Sequence, residues 1–416
     1  MSAVRYPLPP LEPERLIVRT VPVAEPGDLL SRLPRPGALA WVRHGDGLVG
    51  WGEAARITLP AGPGRFADAE RWLRSLLGGA EVDDPIGIPG TGPVAFASFT
   101  FDPAAGGSVL VVPRAVLGRR DGRAWFTTIG DGSDPLVPAR RETVPGEVRW
   151  QDGALSGPQW QHVVAAAVSR IKAGELSKVV LARDLRAVTA EPVDARVLLH
   201  RMAAAYPDCY TFACAGLVGA TPELLVRREG NRISSLVLGG TTSRRGDPEA
   251  DAAAGAALLA SAKETEEHRY AVVSVADSLE PLCESLTVEP RPSLLGLANV
   301  QHLATRVSGR LDGERSVLSL AGALHPPAAV CGTPTDAAMA LIRELEAMDR
   351  GRYAGPVGWL DADGNGEFGI ALRCAEIDGT GARLFAGCGI VAGSDPDAEL
   401  AETQAKFRPV QNALDG

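Results

Sequence analysis

An α+β fold is what this 416-residue sequence predicts, and three observations carry the prediction. Hydrophobic residues make up 45% and charged residues 22%, an ordinary globular composition that excludes a disordered or fibrous chain. Strand-like and helix-like segments mix without the regular alternation of a doubly wound sheet. The texture also changes near residues 151–157. Before that point the chain is rich in Pro and Gly with short apolar runs; after it, helical periodicity is clear. The length suits one large domain or two ordinary ones.

In chain order, Ala38–Val42, Val94–Phe101 and Ser108–Val112 read as strands between turns, with one helix near Arg65–Leu77. Trp160, Val163, Val164, Ala167, Val168 and Ile171 fall on one face of a helix that begins at Pro158 and stops at Gly174. Lys178–Val188 follows as a strand, Asp194–Tyr206 as a helix and Tyr210–Ala215 as a strand. Leu224–Arg228 and Arg232–Leu238 form a strand pair turned by Glu229-Gly230-Asn231, and a long helical region covers Glu249 to about Glu284. Strand-like segments recur at Val300–Gly309, Ala354–Leu360, Glu367–Ile377 and Arg383–Ala386. Helices fill Thr335–Ala347 and Pro396–Asn412, the latter opened by Asp395 as cap and Pro396 at its first position.

Charge narrows the partners. Residues 1–156 hold 17 basic and 18 acidic side chains, whereas residues 157–416 hold 25 against 33. That surplus carboxylate suits a metal cation, and nucleic acid is not an expected partner. The N-terminus carries no apolar run that could serve as a signal peptide. The uncharged run Val317–Thr335 contains Pro326, Pro327, Pro334 and His325, so it reads as a soluble helix and a turn, and no membrane partner is expected. Six cysteines without a C-x-x-C pair read as buried thiols of a cytoplasmic protein. Only four of the basic residues are lysines: Lys172, Lys178, Lys263 and Lys406. Lysine, unlike arginine, can give up its proton, so these four are candidates for base chemistry.

Two motifs fail on inspection. Asp361-Ala-Asp363-Gly-Asn365-Gly366 begins like a calcium loop, but its twelfth position is Leu372 where a bidentate Glu is needed, so a hairpin turn is expected. Gly387-Cys-Gly389-Ile-Val-Ala392 fits G-x-G-x-x-A after a strand, yet too little chain remains to complete a dinucleotide-binding unit. Its glycines can still offer backbone N–H groups to an anion. The carboxylates are more informative. Glu264 and Glu267 share a helix face, as do Glu399 and Glu402, and both pairs lie near lysines. Isolated pairs of this kind are usually solvated; two of them fit a hard, oxygen-ligated cation such as Mg²⁺.

A set of segments then carries a resemblance. Ser177-Lys178-Val-Val-Leu-Ala-Arg183, Gly219-Ala-Thr-Pro-Glu223-Leu-Leu225, Gly239-Gly240-Thr241, Ser261 through His268 and Asn299-Val-Gln-His302 together resemble the chorismate-utilising enzymes. So do Cys331-Gly-Thr-Pro334, Tyr353-Ala-Gly355, Arg373-Cys-Ala-Glu376, Gly387-Cys-Gly389 and Glu399-Leu-Ala-Glu402-Thr-x-x-Lys406. The resemblance runs through residues 157–416 in order. It implies large antiparallel sheets packed with helices, a chorismate-binding catalytic region at 157–416 and a strand-rich N-terminal part of the same fold at 1–156.

The resemblance also implies roles. Lys178 matches the general base of the members that add water, and Glu223 the general acid that protonates the leaving hydroxyl. Glu267 and Glu402 match the direct Mg²⁺ ligands, with Glu264 and Glu399 as water-mediated or outer partners. Gly240, Thr241, His302, Ala329, Tyr353, Arg373, Gly387, Gly389 and Lys406 match positions around the substrate carboxylates and metal, with Arg373 as a bidentate clamp. Lysine at 178 argues against the ammonia users, where glutamine is typical. Gly239 stands where aminodeoxychorismate synthases carry a nucleophilic lysine, and where alanine is common in isochorismate synthases. Arg244 and Arg245 receive no role. At Ala329 the members that expel pyruvate generally carry threonine. The expectation is therefore a monomeric, Mg²⁺-dependent isochorismate synthase acting on chorismate. Salicylate synthase is the alternative, with anthranilate synthase component I behind it.

Overall fold

The computed structural model describes residues 16–34, 37–130, 141–244, 246–298 and 300–416, with the Lys263 side chain excepted. Arg245, Asn299 and the N-terminal stretch weighed above as a signal peptide lie outside these residues. Eight α-helices occur among the described residues: α1 Arg65–Leu77, α2 Gly157–Lys172, α3 Ala195–Ala205, α4 Pro248–Ala260, α5 Ala262–Leu279, α6 Val317–Leu324, α7 Thr335–Leu345 and α8 Pro396–Asp415. Their starts follow from local chemistry. Asp194, Asp247, Ser261, Ser316 and Asp395 each accept a backbone N–H of the first turn of the helix that follows. At α2 the Gln159 side chain reaches back to the Ser156 N–H at 2.9 Å.

The strands form two sheets. The larger runs Val148–Asp152, Lys178–Thr189, Gly381–Ile390, Cys374–Asp378, Leu217–Thr221, Tyr210–Cys214, Leu39–Arg43, Asp46–Trp51, Ala115–Arg120, Arg123–Gly130, Ile17–Val23 and Glu81–Asp83, with Gly332–Thr333 beside Lys178. The smaller runs Cys283–Val288, Val300–Leu311, Arg232–Ser243, Leu224–Glu229, Gly366–Ile370, Pro356–Asp361, Val94–Ser98, Ser108–Val112 and Ala55–Leu59, with Ser293–Gly296 beside Val300–Leu311. Among the described residues the one parallel ladder joins Ile17–Val23 to Glu81–Asp83. The α+β expectation holds. Strands from before and after residue 156 share both sheets and meet side by side: Thr211 pairs with Val42 and Val357 with Ser98.

Period-two alternation divides the core. Trp41 and Phe212 of the larger sheet join Phe96, Trp359 and Phe368 of the smaller one in the main cluster. Trp41 ties the sheets directly, because its indole N–H donates to Glu367 at 2.9 Å. Their neighbours Ala40, Val42 and Ala213 face the other way, under Leu198, Leu199 and Met202 of α3 and Phe407 and Val410 of α8.

Several sequence expectations need correction. The region Glu249–Glu284 is not one helix: Ser261 leaves helical geometry, ends α4 and caps α5, and the chain becomes a strand from Cys283. Glu367–Ile377 is not one strand. It splits into Gly366–Ile370 in the smaller sheet and Cys374–Asp378 in the larger, and Arg373 between them takes a left-handed φ of 48°. Val94–Phe101 ends as a strand at Ser98. Gly387 and Gly389 lie inside the strand Gly381–Ile390 rather than after it. The Asp361–Gly366 segment is a hairpin turn, with the Asn365 N–H on Asp361 Oδ1 at 2.9 Å.

Candidate active site

All fifteen candidate side chains and glycines from the sequence line one cavity. It opens where the ends of strands from both sheets meet the first turns of α5 and α8. Two neighbouring crossovers between the sheets build one of its walls. The chain passes from Leu217–Thr221 to Leu224–Glu229 through Pro222-Glu223, and back from Gly366–Ile370 to Cys374–Asp378 through Leu372-Arg373. The two run alongside each other: Ala220 N–H donates to the Arg373 carbonyl at 3.2 Å, and Ile370 N–H to the Glu223 carbonyl at 3.1 Å. Arg373 pays roughly 1–2 kcal/mol for its left-handed backbone, a strain typical of residues that function fixes in place.

Glu223 is buried at 7% exposure. Burial raises its pKa to about 8 even against the pull of Arg373, Lys178 and Lys406. A carboxyl that keeps its proton at neutral pH is what a general acid needs. The same burial has a stability cost. Between about pH 4.5 and 8 the folded protein keeps a proton that the unfolded chain has released, so this group makes stability fall as pH rises through that window. Glu223→Gln is therefore expected to melt at a higher temperature than the native protein at pH 8.5 while losing activity. Thermal melts at pH 4.5 and 8.5 check this, and an unchanged or lower melting point at pH 8.5 counts against a neutral, buried Glu223.

Lys178 begins its strand, in register with Thr333, and is 7% exposed. It faces the glycine strand at very short range. A Cβ added at Gly389 would stand 2.9 Å from Lys178 Cε and 3.7 Å from Glu267 Oε1, so only glycine lets the amine, the strand and that carboxylate converge. Hydrogen bonds from Val180 N–H to the Cys331 carbonyl and from Ala182 N–H to Glu346 orient the register partners Gly389 and Gly387 away from the Lys178 strand. That open edge offers acceptors as well as the expected donors: the Gly387 carbonyl takes a hydrogen bond from Lys406 Nζ at 2.8 Å.

Gly240 is the extra residue of a bulge in the ladder between Arg232–Ser243 and Val300–Leu311, with φ of 57°. The bulge turns Thr241 towards His302, whose Nδ1 lies 3.0 Å from Thr241 Oγ1 and 3.2 Å from the Gly240 carbonyl. A carbonyl only accepts, so the ring proton sits on Nδ1. Nε2 then carries a lone pair and has no hydrogen-bond partner among the described residues. Burial pushes the His302 pKa down to about 3. His302 is therefore a neutral acceptor for a donor such as a hydroxyl, not a cation for a carboxylate. Gly239 packs against α5, where an added Cβ would stand 2.8 Å from His268 Nδ1, so a larger side chain would displace that helix.

Tyr353 is buried and stacked on Phe385 with ring centroids 5.1 Å apart. Burial raises its pKa, so it stays a neutral phenol. Ala329 lines the cavity from the segment before Cys331, and its methyl adds no polar group.

Glu264 and Glu267 come from the first two turns of α5, Glu399 and Glu402 from those of α8. Lys406 Nζ lies 2.5 Å from Glu402 Oε1. Burial works against the charged form of Glu402, but Lys406 outweighs it with help from Arg373, and the pKa ends below the ordinary carboxylate value. Among the described residues no three His, Cys, Asp or Glu groups stand close enough to enclose a metal by themselves. Four hard oxygen donors around one cavity nevertheless fit Mg²⁺, which takes one or two carboxylates and completes its shell with water and substrate oxygens.

Arg350 also lines the cavity and is absent from the sequence-derived set. Its only sequence signal is the four-residue spacing from Glu346 at the end of α7.

A family model described as "Chorismate binding enzyme" matches residues 139–415. The chain is 40% identical over 333 residues to the isochorismate synthase DhbC of Bacillus subtilis, covering 71% of this chain and 82% of that protein. It is 35% identical over 411 residues to the salicylate biosynthesis isochorismate synthase of Pseudomonas aeruginosa, covering 90% and 84%. Among solved structures it resembles MenF, the menaquinone-specific isochorismate synthase of Escherichia coli, with a TM-score of 0.81, 28% identity and coverage of 96% and 94%. The chain belongs to the chorismate-binding enzyme family.

Proposed function

We propose that the protein is a Mg²⁺-dependent isochorismate synthase, an isomerase that adds water at ring carbon 2 of chorismate and expels the hydroxyl at carbon 4. The observation that carries this reading is a lysine and a buried, protonated carboxyl in one cavity, Lys178 and Glu223. Lys178, as general base, takes a proton from the water as its oxygen bonds to carbon 2. The ring double bonds shift, the carbon 4–oxygen bond breaks, and Glu223 gives its proton to the departing hydroxyl. One water enters and one leaves, so substrate and product are isomers. Arg373 and Lys406 offer cations to the two carboxylates of the substrate. His302 Nε2 can accept from a ring hydroxyl. Mg²⁺, held by Glu267 and Glu402 with Glu264 and Glu399 behind them through water, would neutralise substrate carboxylate. The free thiols suit a reducing compartment, and we place the enzyme in the cytoplasm.

Salicylate synthase shares the water-addition half and differs in the fate of bound isochorismate. There the enolpyruvyl group departs as pyruvate, carrying the hydrogen of ring carbon 2 and leaving salicylate. That step needs the side chain held over this hydrogen, and a misplacement of about 1 Å can cost on the order of a hundredfold. Alanine at 329 supplies neither the hydroxyl nor the extra methyl with which threonine could fix the pose. Incubation with chorismate and Mg²⁺, with products resolved by chromatography, should give isochorismate with little salicylate, pyruvate or anthranilate. Ala329→Thr should raise pyruvate release. A native protein that makes mainly salicylate would overturn the assignment.

A further inference from the structure

The strand Lys178–Thr189 has an interrupted outer edge. Gly332–Thr333 pairs with its first two residues, and Val148–Asp152 pairs with it from Leu185 to Thr189. Between these two ladders no strand lies on that edge among the described residues. Two buried side chains fill the gap. Glu346 Oε1 accepts the Ala182 N–H at 2.7 Å, and Arg350 Nη2 donates to the Val180 carbonyl at 2.7 Å. Arg350 Nη1 donates to the Val330 carbonyl at 2.9 Å, and its Nε donates to Glu346 Oε2 at 2.8 Å. Arg350 Nη2 also bonds Glu346 Oε1. The exposures of Glu346 and Arg350 are 1% and 3%, and the guanidinium lies 4.1 Å from the centre of the Phe101 ring.

The two carbonyls that Arg350 holds belong to adjacent segments of the cavity wall, whose backbones also meet where the Val180 N–H donates to the Cys331 carbonyl at 2.7 Å. Val180 is two residues beyond Lys178, and Val330 directly follows Ala329. Resting on the reaction proposed above, we propose that the Glu346–Arg350 pair is a positioning device that fixes the separation between the strand carrying Lys178 and the segment carrying Ala329. A planar guanidinium can bond both carbonyls and the carboxylate at once. A lysine ammonium has three donors but no fixed fork, and it cannot span the two carbonyls in the same geometry. A hydrophobic pair of equal volume would fill the core and leave both carbonyls untied, a replacement that buried ion pairs often tolerate in stability.

Two variants test this: Arg350→Lys, which keeps a charge beside Glu346, and the double variant Glu346→Gln/Arg350→Met, which removes both charges. Each is compared with the native protein by thermal melting, calorimetric Mg²⁺ binding, kcat and KM for chorismate, and the ratio of pyruvate to isochorismate. Both should melt cooperatively and bind Mg²⁺ within about threefold of native, with kcat down about tenfold or more, KM changed less, and pyruvate release raised. A folded variant with native kcat and native product ratio overturns the proposal. So does loss of Mg²⁺ binding in step with activity in both variants, or failure of both to fold, since the pair would then be a general support of the core. Variants are scored on whatever product the native protein makes. A native protein that makes no isochorismate therefore refutes the reaction, whereas an unaffected variant refutes the positioning role alone.

Discussion

Lys178→Arg is expected to fold normally and to lose on the order of a hundredfold or more in turnover, because arginine keeps a cation in place yet does not release its proton. The site makes this substitution more severe than a simple exchange of charge. Lys178 lies against the glycine strand with so little clearance that a Cβ at Gly389 would already stand 2.9 Å from its Cε. A guanidinium is wider than an ammonium, so it must also shift away from Gly389. Steady-state kinetics with chorismate, alongside melting curves, check the expectation. Near-native turnover in a folded variant would remove Lys178 from the mechanism.

Glu267→Gln and Glu402→Gln should each raise the Mg²⁺ concentration needed for half-maximal activity by about tenfold or more, since a neutral amide is a poor partner for a hard dication. The two carboxylates come from different helices, α5 and α8, so both changes acting on one titration would show that one ion joins those helices. Glu402 is paired with Lys406 in the structure, and its amide variant also frees that ammonium. Calorimetric Mg²⁺ titration without substrate separates loss of metal affinity from loss of substrate binding. Unchanged titrations in both variants would show that these glutamates do not hold the metal.

The chemistry of the site was more legible in the sequence than the path of the chain that assembles it. Glu223 and Arg373 stand out as charges among mainly apolar neighbours, the paired glutamates by their three-residue spacing, and the order of all of them along the chain carries the family resemblance. The reason Glu223 and Arg373 meet is not visible there. It depends on two adjacent crossovers between sheets, and Glu367–Ile377 contains no Gly or Pro beside Leu372-Arg373 to announce a break. The break at Ser261 is hidden for a related reason: its flanks are Ala-rich and helix-forming, and one serine serves as the end of α4 and the cap of α5. The strand Cys283–Val288 borders its sheet and is largely exposed, so it lacks the apolar run that marks a buried strand. Arg350 is silent in the sequence because half of its hydrogen bonds go to backbone carbonyls, which leave no mark on residue identity, and its other partner Glu346 gives only a four-residue spacing.

The central claim is that water, activated at Lys178, attacks ring carbon 2 while the hydroxyl at carbon 4 leaves with the proton of Glu223. Turnover of chorismate in ¹⁸O-enriched water, followed by mass analysis of the product, tests it most directly. The account predicts isochorismate carrying one solvent oxygen per turnover, located at carbon 2. Isochorismate that retains the original hydroxyl oxygen, with no solvent label at carbon 2, would contradict it.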